Sequence, residues 1–256
     1  MYEGWTKEEV EELKKFRLID RIPASAAFHL SDFHTSRHVR ERIATTGGSG
    51  RILERQAAAS ILVKRLSFLA VIYFHSMTAF NRRPILDAEK IYVAEHEKEG
   101  LRLLDFYFDQ PSMMPYDETI DRSIWLKEGW EYLFHEWLMP VFDVLKEEVR
   151  ISEYILWENT AVYLYWLYET VLEDRPQALQ DFEELIHPGA FQPNGMKGIN
   201  PFNKFYFPKS LNGDGKEVRM RKTCCLSYLS DEKGTRCQTC PLFCHNRNLE
   251  RGESLG

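Results

Sequence analysis

Residues 151–174 read ISEYILWENTAVYLYWLYETVLED, a run that is apolar on nearly every side of a helical period. A surface helix keeps one polar face, whereas a segment apolar all round belongs in the middle of a core. We therefore take about 151–173 as a central helix and build outward from it. Just before it, Trp130, Phe134, Trp137, Val141, Leu145 and Val149 fall at three- and four-residue steps and give 123–149 one continuous apolar face. Pro140 is expected to kink or split that helix, because its ring strikes the carbonyl one turn back. Pro176 opens a shorter helix that ends before Pro188-Gly189. The Trp and Tyr stripes of these segments read as core.

Upstream, a long helix is expected from about Arg51 to Phe80, with Ser49 as its cap. Its apolar positions widen into Leu66, Leu69, Ala70, Ile72, Tyr73 and Phe74, the mark of a buried helix. Residues 6–17 form a first helix, with Thr6 and Glu9 in the capping-box pattern. Between them lies the polar stretch SDFHTSRHVRER, then Gly47-Gly48-Ser49-Gly50. No apolar strand precedes those glycines and no Gly-Lys-Ser/Thr follows, so they are not a phosphate loop. His34 and His38 lie four apart without a nearby carboxylate, which favours a surface or substrate-contact role over metal ligation. Asp117 and Asp121 read as turn and cap residues.

Two segments change period. Lys90–Phe108 has two runs rich in β-branched and aromatic residues around Lys98-Glu99-Gly100, the pattern of a β-hairpin. Phe205-Tyr206-Phe207 and Val218–Thr223 flank Asn212-Gly213-Asp214-Gly215, which signals a second hairpin. The expected class is α+β. A mainly helical, substrate-binding body (1–190) with a central hairpin is followed by a segment (191–256) whose hairpin runs directly into Cys224.

The chain has 256 residues, 44% hydrophobic and 28% charged, an ordinary composition for a folded soluble protein. That excludes a disordered tail, a fibre and a small disulfide scaffold. A net charge of −6 argues against a nucleic-acid binder. The average hides a division: residues 197–225 carry seven Lys/Arg against Asp214 and Glu217, so a basic segment is joined to an acidic body. The N-terminus, MYEGWTKEEVEELKKF, lacks the basic and apolar regions of an export signal. Leu66–Phe80 reads as too short to cross a bilayer, and Lys64 and Arg65 precede it. A reducing cytoplasm is the expected setting.

In such a setting clustered thiols bind metal or do redox work more often than they form disulfides. All five cysteines lie between Cys224 and Cys244, with Cys224-Cys225 and Cys237-x-x-Cys240 inside seventeen residues. Thiolate suits zinc and iron–sulfur clusters alike. The adjacent pair separates the two, because neighbouring side chains in an extended chain point to opposite faces. One tetrahedral zinc then demands a bent backbone, whereas a cluster with two irons accepts a wider spread of ligands. Cys244 falls outside the four-ligand pattern.

The stretch RMRKTCCLSYLSDEKGTRCQTCPL (219–242) resembles the C-terminal motif of the FhuF-type ferric-siderophore reductases. The doublet, the basic lead-in, the C-x-x-C and the following Pro-Leu occur in order. The preceding 200 residues are similar in length, helical content, central hairpin and the Leu156-Trp157-Glu158-Asn159 stretch. The eleven residues between the two cysteine pairs are one more than is usual in the family. The resemblance implies a [2Fe–2S] cluster held by Cys224, Cys225, Cys237 and Cys240. It also implies one-electron reduction of Fe³⁺ in a siderophore complex, fed by a flavin- or ferredoxin-dependent donor.

Alternation along 218–225 places Val218 and Met220 on a packed face, with Arg219 and Arg221 toward solvent or an anionic substrate. These two, with Lys209, Arg51 and Arg55, are the expected siderophore-binding residues, and a basic pocket suits citrate-based or hydroxamate chelates. The competing readings are an iron–sulfur sensor or electron-carrier module and a zinc-stapled binding protein.

Overall fold

The structure, a computed structural model, describes residues 4–22, 27–47, 50–98, 101–212, 214–230 and 234–242. The first helix, α1 (Lys7–Leu13), has the expected capping box, with Glu9 N donating to Thr6 Oγ1 (3.2 Å) and Thr6 N to Glu9 Oε2 (2.8 Å). The polar stretch after it contains a short strand, β1 (Ala27–His29), and an unexpected helix, α2 (Ser36–Thr45), capped by Thr35. Its histidines belong to packing and not to a surface. His38 is buried between the rings of Phe28 and Phe33, and His34 Nε2 meets the Trp137 carbonyl at 3.2 Å.

The long helix α3 (Ile52–Phe80) starts one residue after Arg51, and the expected cap, Ser49, lies outside the described residues. At 29 residues this helix is long and apolar enough to span a bilayer, which corrects the expectation of shortness. What marks it as a core helix is burial: 78% of its most apolar window is inside the fold.

The sheets are small. β3 (Ile91–Lys98) and β4 (Leu101–Phe108) form the expected central hairpin, antiparallel from Ile91↔Phe108 to Lys98↔Leu101, with β1 on the outer edge of β3. β2 (Arg82–Ile85) pairs with β5 (Ser112–Pro115), an addition that their short mixed sequences do not announce.

Next, α4 (Arg122–Leu133) and α5 (Met139–Val149) are joined without a break by a π turn over Phe134–Leu138. Met139 N reaches back to Phe134 O, which widens the ladder just before Pro140. The proline is absorbed by this wider turn and the helix is not split. Asp121 caps α4 and Asp117 holds a turn, as expected. The central helix α6 (Glu153–Trp166) ends in a second π turn, Leu167–Val171, and is followed by α7 (Ala178–Ile186) and the single turn α8 (Pro201–Lys204).

Polar contacts fix how α3 lies on α6. Asn159 Nδ2 donates to Ser60 Oγ (2.8 Å), Ser67 and Thr160 hydroxyls meet at 3.1 Å, and Thr78 meets Tyr168 at 3.1 Å. The contacts climb both helices together, so the two run in the same sense. Around them Phe74, Trp130, Phe134, Trp157, Phe191 and Phe202 form one aromatic core. At one end, the fully buried Asp181 of α7 takes a bidentate ion pair from Arg122 (2.7 Å to each oxygen) and a bond from Thr78.

The C-terminal hairpin is shorter than expected: β6 is Ser210–Leu211 and β7 is Glu217–Val218. Phe205 closes α8 instead of starting a strand, because it packs into the aromatic core. Residues 219–226 leave the ladder altogether.

Candidate metal centre

The chain after β7 is held by side chains from α6, not by strand pairing. Glu158, in a mostly apolar helix and 2% exposed, accepts the backbone N–H of Lys222 (2.7 Å) and Thr223 (2.8 Å), and the Thr223 hydroxyl. Beside it, Asn159 Oδ1 accepts Arg221 Nη2 at 2.7 Å. Arg221 is therefore buried, with Nε 3.5 Å from Glu158 Oε2, and does not face solvent. The alternation that put it there assumed an extended strand, which ends at Val218.

This anchoring delivers four thiols to one place. The doublet splits: Cys224 Sγ lies 4.0 Å from Cys240 Sγ, and the Cys225 sulfur accepts a hydrogen bond from the Cys237 thiol. Leu226, at φ 60°, takes the left-handed conformation that bulky residues avoid, and its N–H points back to Cys224 Sγ at 3.4 Å. The second pair sits on a tight turn, with Cys240 N donating to Cys237 O at 3.0 Å. The Arg221 N–H closes onto Thr239 O at 3.0 Å, stitching the two halves together.

A charge from the body completes the site. Lys64 of α3 donates to Cys225 Sγ at 2.9 Å, and the Ser227 hydroxyl lies 3.1 Å from the same sulfur. The Cys237 thiol and the Lys64 ammonium together hold Cys225 well below the ordinary thiol range, so it is a thiolate at neutral pH. Burial pushes Cys224 the other way.

The thiols fit a two-metal group better than one ion. Two thiolates on one tetrahedral metal, with bonds of about 2.3 Å, are about 3.8 Å apart. The Cys224–Cys240 separation is close to that edge. Among the described residues no three His, Cys, Asp or Glu groups converge as a single-ion site. Two pairs of sulfurs, one member of the doublet in each, match two irons. Cys244 lies outside the described residues.

Two cavities, each of about 600 Å³, open on either side of Cys237 and share Lys64, Phe68 and Tyr163 in their walls. The first contains Lys209, Arg219 and Arg221. Their charges are already matched. Glu169, on the π turn of α6, accepts Arg219 at 2.6 and 3.1 Å and Tyr206 at 2.9 Å, and lies 3.2 Å from Lys209 Nζ. Those bonds hold Glu169 below the usual carboxylate range in spite of its burial. Arg219 also stacks on the Tyr206 ring at 4.2 Å. Arg51 and Arg55 line neither cavity: Arg51 pairs with Glu54 at 2.9 Å and Arg55 donates to the Glu148 carbonyl at 3.1 Å. Of the five expected substrate residues, Lys209, Arg219 and Arg221 thus meet at one cavity and Arg51 and Arg55 stand apart from it.

Sequence reading missed Lys64, Glu158 and Glu169 as parts of the site. The signal was present, since a charge inside an apolar helix needs a partner.

Comparison with known families agrees with this geometry. Residues 73–205 match the family described as "Ferric iron reductase FhuF-like transporter", and residues 221–242 match the "FhuF 2Fe-2S C-terminal domain". No curated protein sequence matches the chain significantly. The second match covers both halves of the thiol cluster, and the first covers the central hairpin, α6 and its two anchor residues. The chain belongs to the FhuF-like ferric iron reductase family and carries the family's 2Fe–2S C-terminal domain.

Proposed function

We propose that Cys224 with Cys240 holds one iron of the [2Fe–2S] cluster and Cys225 with Cys237 the other. The protein on this reading reduces ferric siderophores in the cytoplasm, with residues 1–190 as the substrate body and 191–256 as the cluster segment. The observation that carries it is the position of Cys237, a thiol shared by the walls of two cavities large enough for a small chelate.

When bound, the cluster supplies a single electron at a potential set by hydrogen bonds, charge and exposure. The protein's own groups set those conditions. Lys64, the Leu226 N–H and the Ser227 and Thr239 hydroxyls surround the sulfurs with donors and favour their anionic form. Glu158 fixes the backbone at Lys222 and Thr223, so the doublet is presented in one conformation. Phe68 and Tyr163 keep the Cys237 wall partly apolar. Hard anionic oxygens attract Fe²⁺ less than Fe³⁺, because Coulomb attraction scales with charge, and the chelate opens after reduction. The donor is a flavin- or ferredoxin-dependent reductase, and the substrate a hydroxamate or citrate-based chelate.

The test is anaerobic purification followed by stopped-flow spectroscopy. A red-brown protein whose dithionite-reduced EPR signal disappears on mixing with a ferric siderophore supports the reading. A reduced cluster that no ferric siderophore oxidises points to a sensor or carrier and rejects it.

A further inference from the structure

The cavities flanking Cys237 differ in charge, and the second is the unexplained one. Its walls bring together Arg17, Lys64, Arg65, Arg102 and Arg236. None of its described lining residues is a carboxylate; Lys64 is taken by the Cys225 sulfur, and among the described residues none of the four arginines forms a salt bridge with a carboxylate. The carboxylates that act on Arg65 and Arg17 are engaged elsewhere: Glu95 pairs with Arg42 at 3.0 Å and Asp105 with His96 at 2.7 Å. Arg17 lies over the Phe68 ring at 4.6 Å and Arg236 over the Tyr228 ring at 4.5 Å, so aromatic faces hold these cations in place of anions. Burial and the like charges of Arg102 and Arg17 pull Arg65 below its ordinary value. Such crowding costs the folded chain energy, which a bound anion would return.

The shape says what kind of anion. A concave space of about 600 Å³ has the size of a small-molecule site, whereas a docked acidic protein would meet a broader, flatter face. Its wall includes Cys237, so a chelate held there has its metal beside a cluster sulfur.

We propose that the ferric substrate binds in this second cavity, held by Arg17, Arg65, Arg102 and Arg236, and that the protein selects ferric chelates carrying net negative charge, the citrate-based kind, over neutral trihydroxamates. The inference rests on the reductase reading and narrows its substrate class. It also moves the substrate away from Lys209 and Arg219, whose charges Glu169 already matches.

The experiment compares two redox-inert gallium(III) chelates, an anionic citrate-based one and a neutral trihydroxamate, binding to the oxidised holoprotein by titration calorimetry. The expected result is tighter binding of the anionic chelate, weakening as salt is raised. Arg102→Gln, at an exposed position that the fold does not need, should loosen the anionic chelate by about tenfold, as loss of one charged hydrogen bond does. Arg65→Gln with Arg102→Gln should loosen it further, and neither variant should alter the neutral chelate. Equal affinity for the two chelates, or unchanged binding in both variants, overturns the assignment. So does a variant that loses affinity only for an acidic electron-donor protein, which would give the cavity to the donor. Stopped-flow oxidation of the reduced cluster by the matching ferric chelates separates the two levels. If both oxidise it equally in wild type and variants, the reductase stands and the cavity assignment falls.

Discussion

The helical body and the cysteine segment are held by opposite means. The body is organised by side chains that leave water: α3, α4, α5 and α6 share one aromatic and aliphatic core, in which a few polar pairs such as Ser67–Thr160 and Ser60–Asn159 cross between helices while Tyr73 Oη and Trp130 Nε1 are buried without a partner among the described residues. Among the described residues from Arg219 to Cys240 the one regular element is a short turn at Ser227–Ser230, and polar and charged side chains of the body hold them. Glu158, Asn159 and Glu169 come from one helix and Lys64 from its neighbour. An apolar core tolerates substitutions that keep its volume, whereas a charge network fails when one partner is lost. The cluster site is thus more exposed to single changes than the fold that carries it.

Several substitutions can break this contrast. The largest effect should come from Cys237→Ser or Cys240→Ser: complete loss of the visible absorbance and of ferric reduction, with far-UV circular dichroism unchanged. Asp181→Ala, in the body's own buried ion pair, should cost about 3–5 kcal/mol, a drop in Tm on the order of 10 °C for a chain this size. In protein that folds, the cluster spectrum should be unchanged, because Asp181 sits away from the thiols. Glu158→Gln should do the reverse. It leaves Arg221 without its counter-charge and shortens the half-time of iron loss to a chelator by roughly tenfold, about the value of one charged hydrogen bond, with a smaller shift in melting.

Lys64→Met sharpens the comparison, since it removes one contact between body and sulfur. The cluster midpoint should fall by about 59 mV, one decade in a one-electron equilibrium, when followed by EPR-monitored redox titration. The smallest effect belongs to Thr6→Ala at the first helix cap: about 1 kcal/mol in thermal melting, and no change in potential.

The same contrast explains how much could be read from the chain. Apolar periodicity locates α3, α6 and the helix through Pro140, because burial leaves its mark on every third or fourth residue. The central hairpin is legible from its alternation and its turn. The helix Ser36–Thr45 is not, since its polar exterior masks the three residues it buries, His38, Val39 and Ile43. In the site, the four thiols announce themselves by spacing alone. Their supports do not: Lys64 lies 161 residues before Cys225 in sequence, and no local pattern records that contact. The basic residues closest to the cysteines read as substrate ligands, yet Arg219 and Arg221 are bound to carboxylates that only the folded chain brings near. The unpaired cations come instead from α3, β4 and the turns around them.

The order of the supports along the chain also bears on how the protein is made. Lys64, Glu158, Asn159 and Glu169 all precede the cysteines, and chains fold from the N-terminus as they leave the ribosome. The body can therefore close its core while Cys224 to Cys240 are still being synthesised. When the thiols emerge they meet a finished surface that fixes the doublet in place. Cluster insertion becomes a last step on a folded receiver, and a body that folds late leaves four unguarded thiols open to oxidation or to the wrong metal.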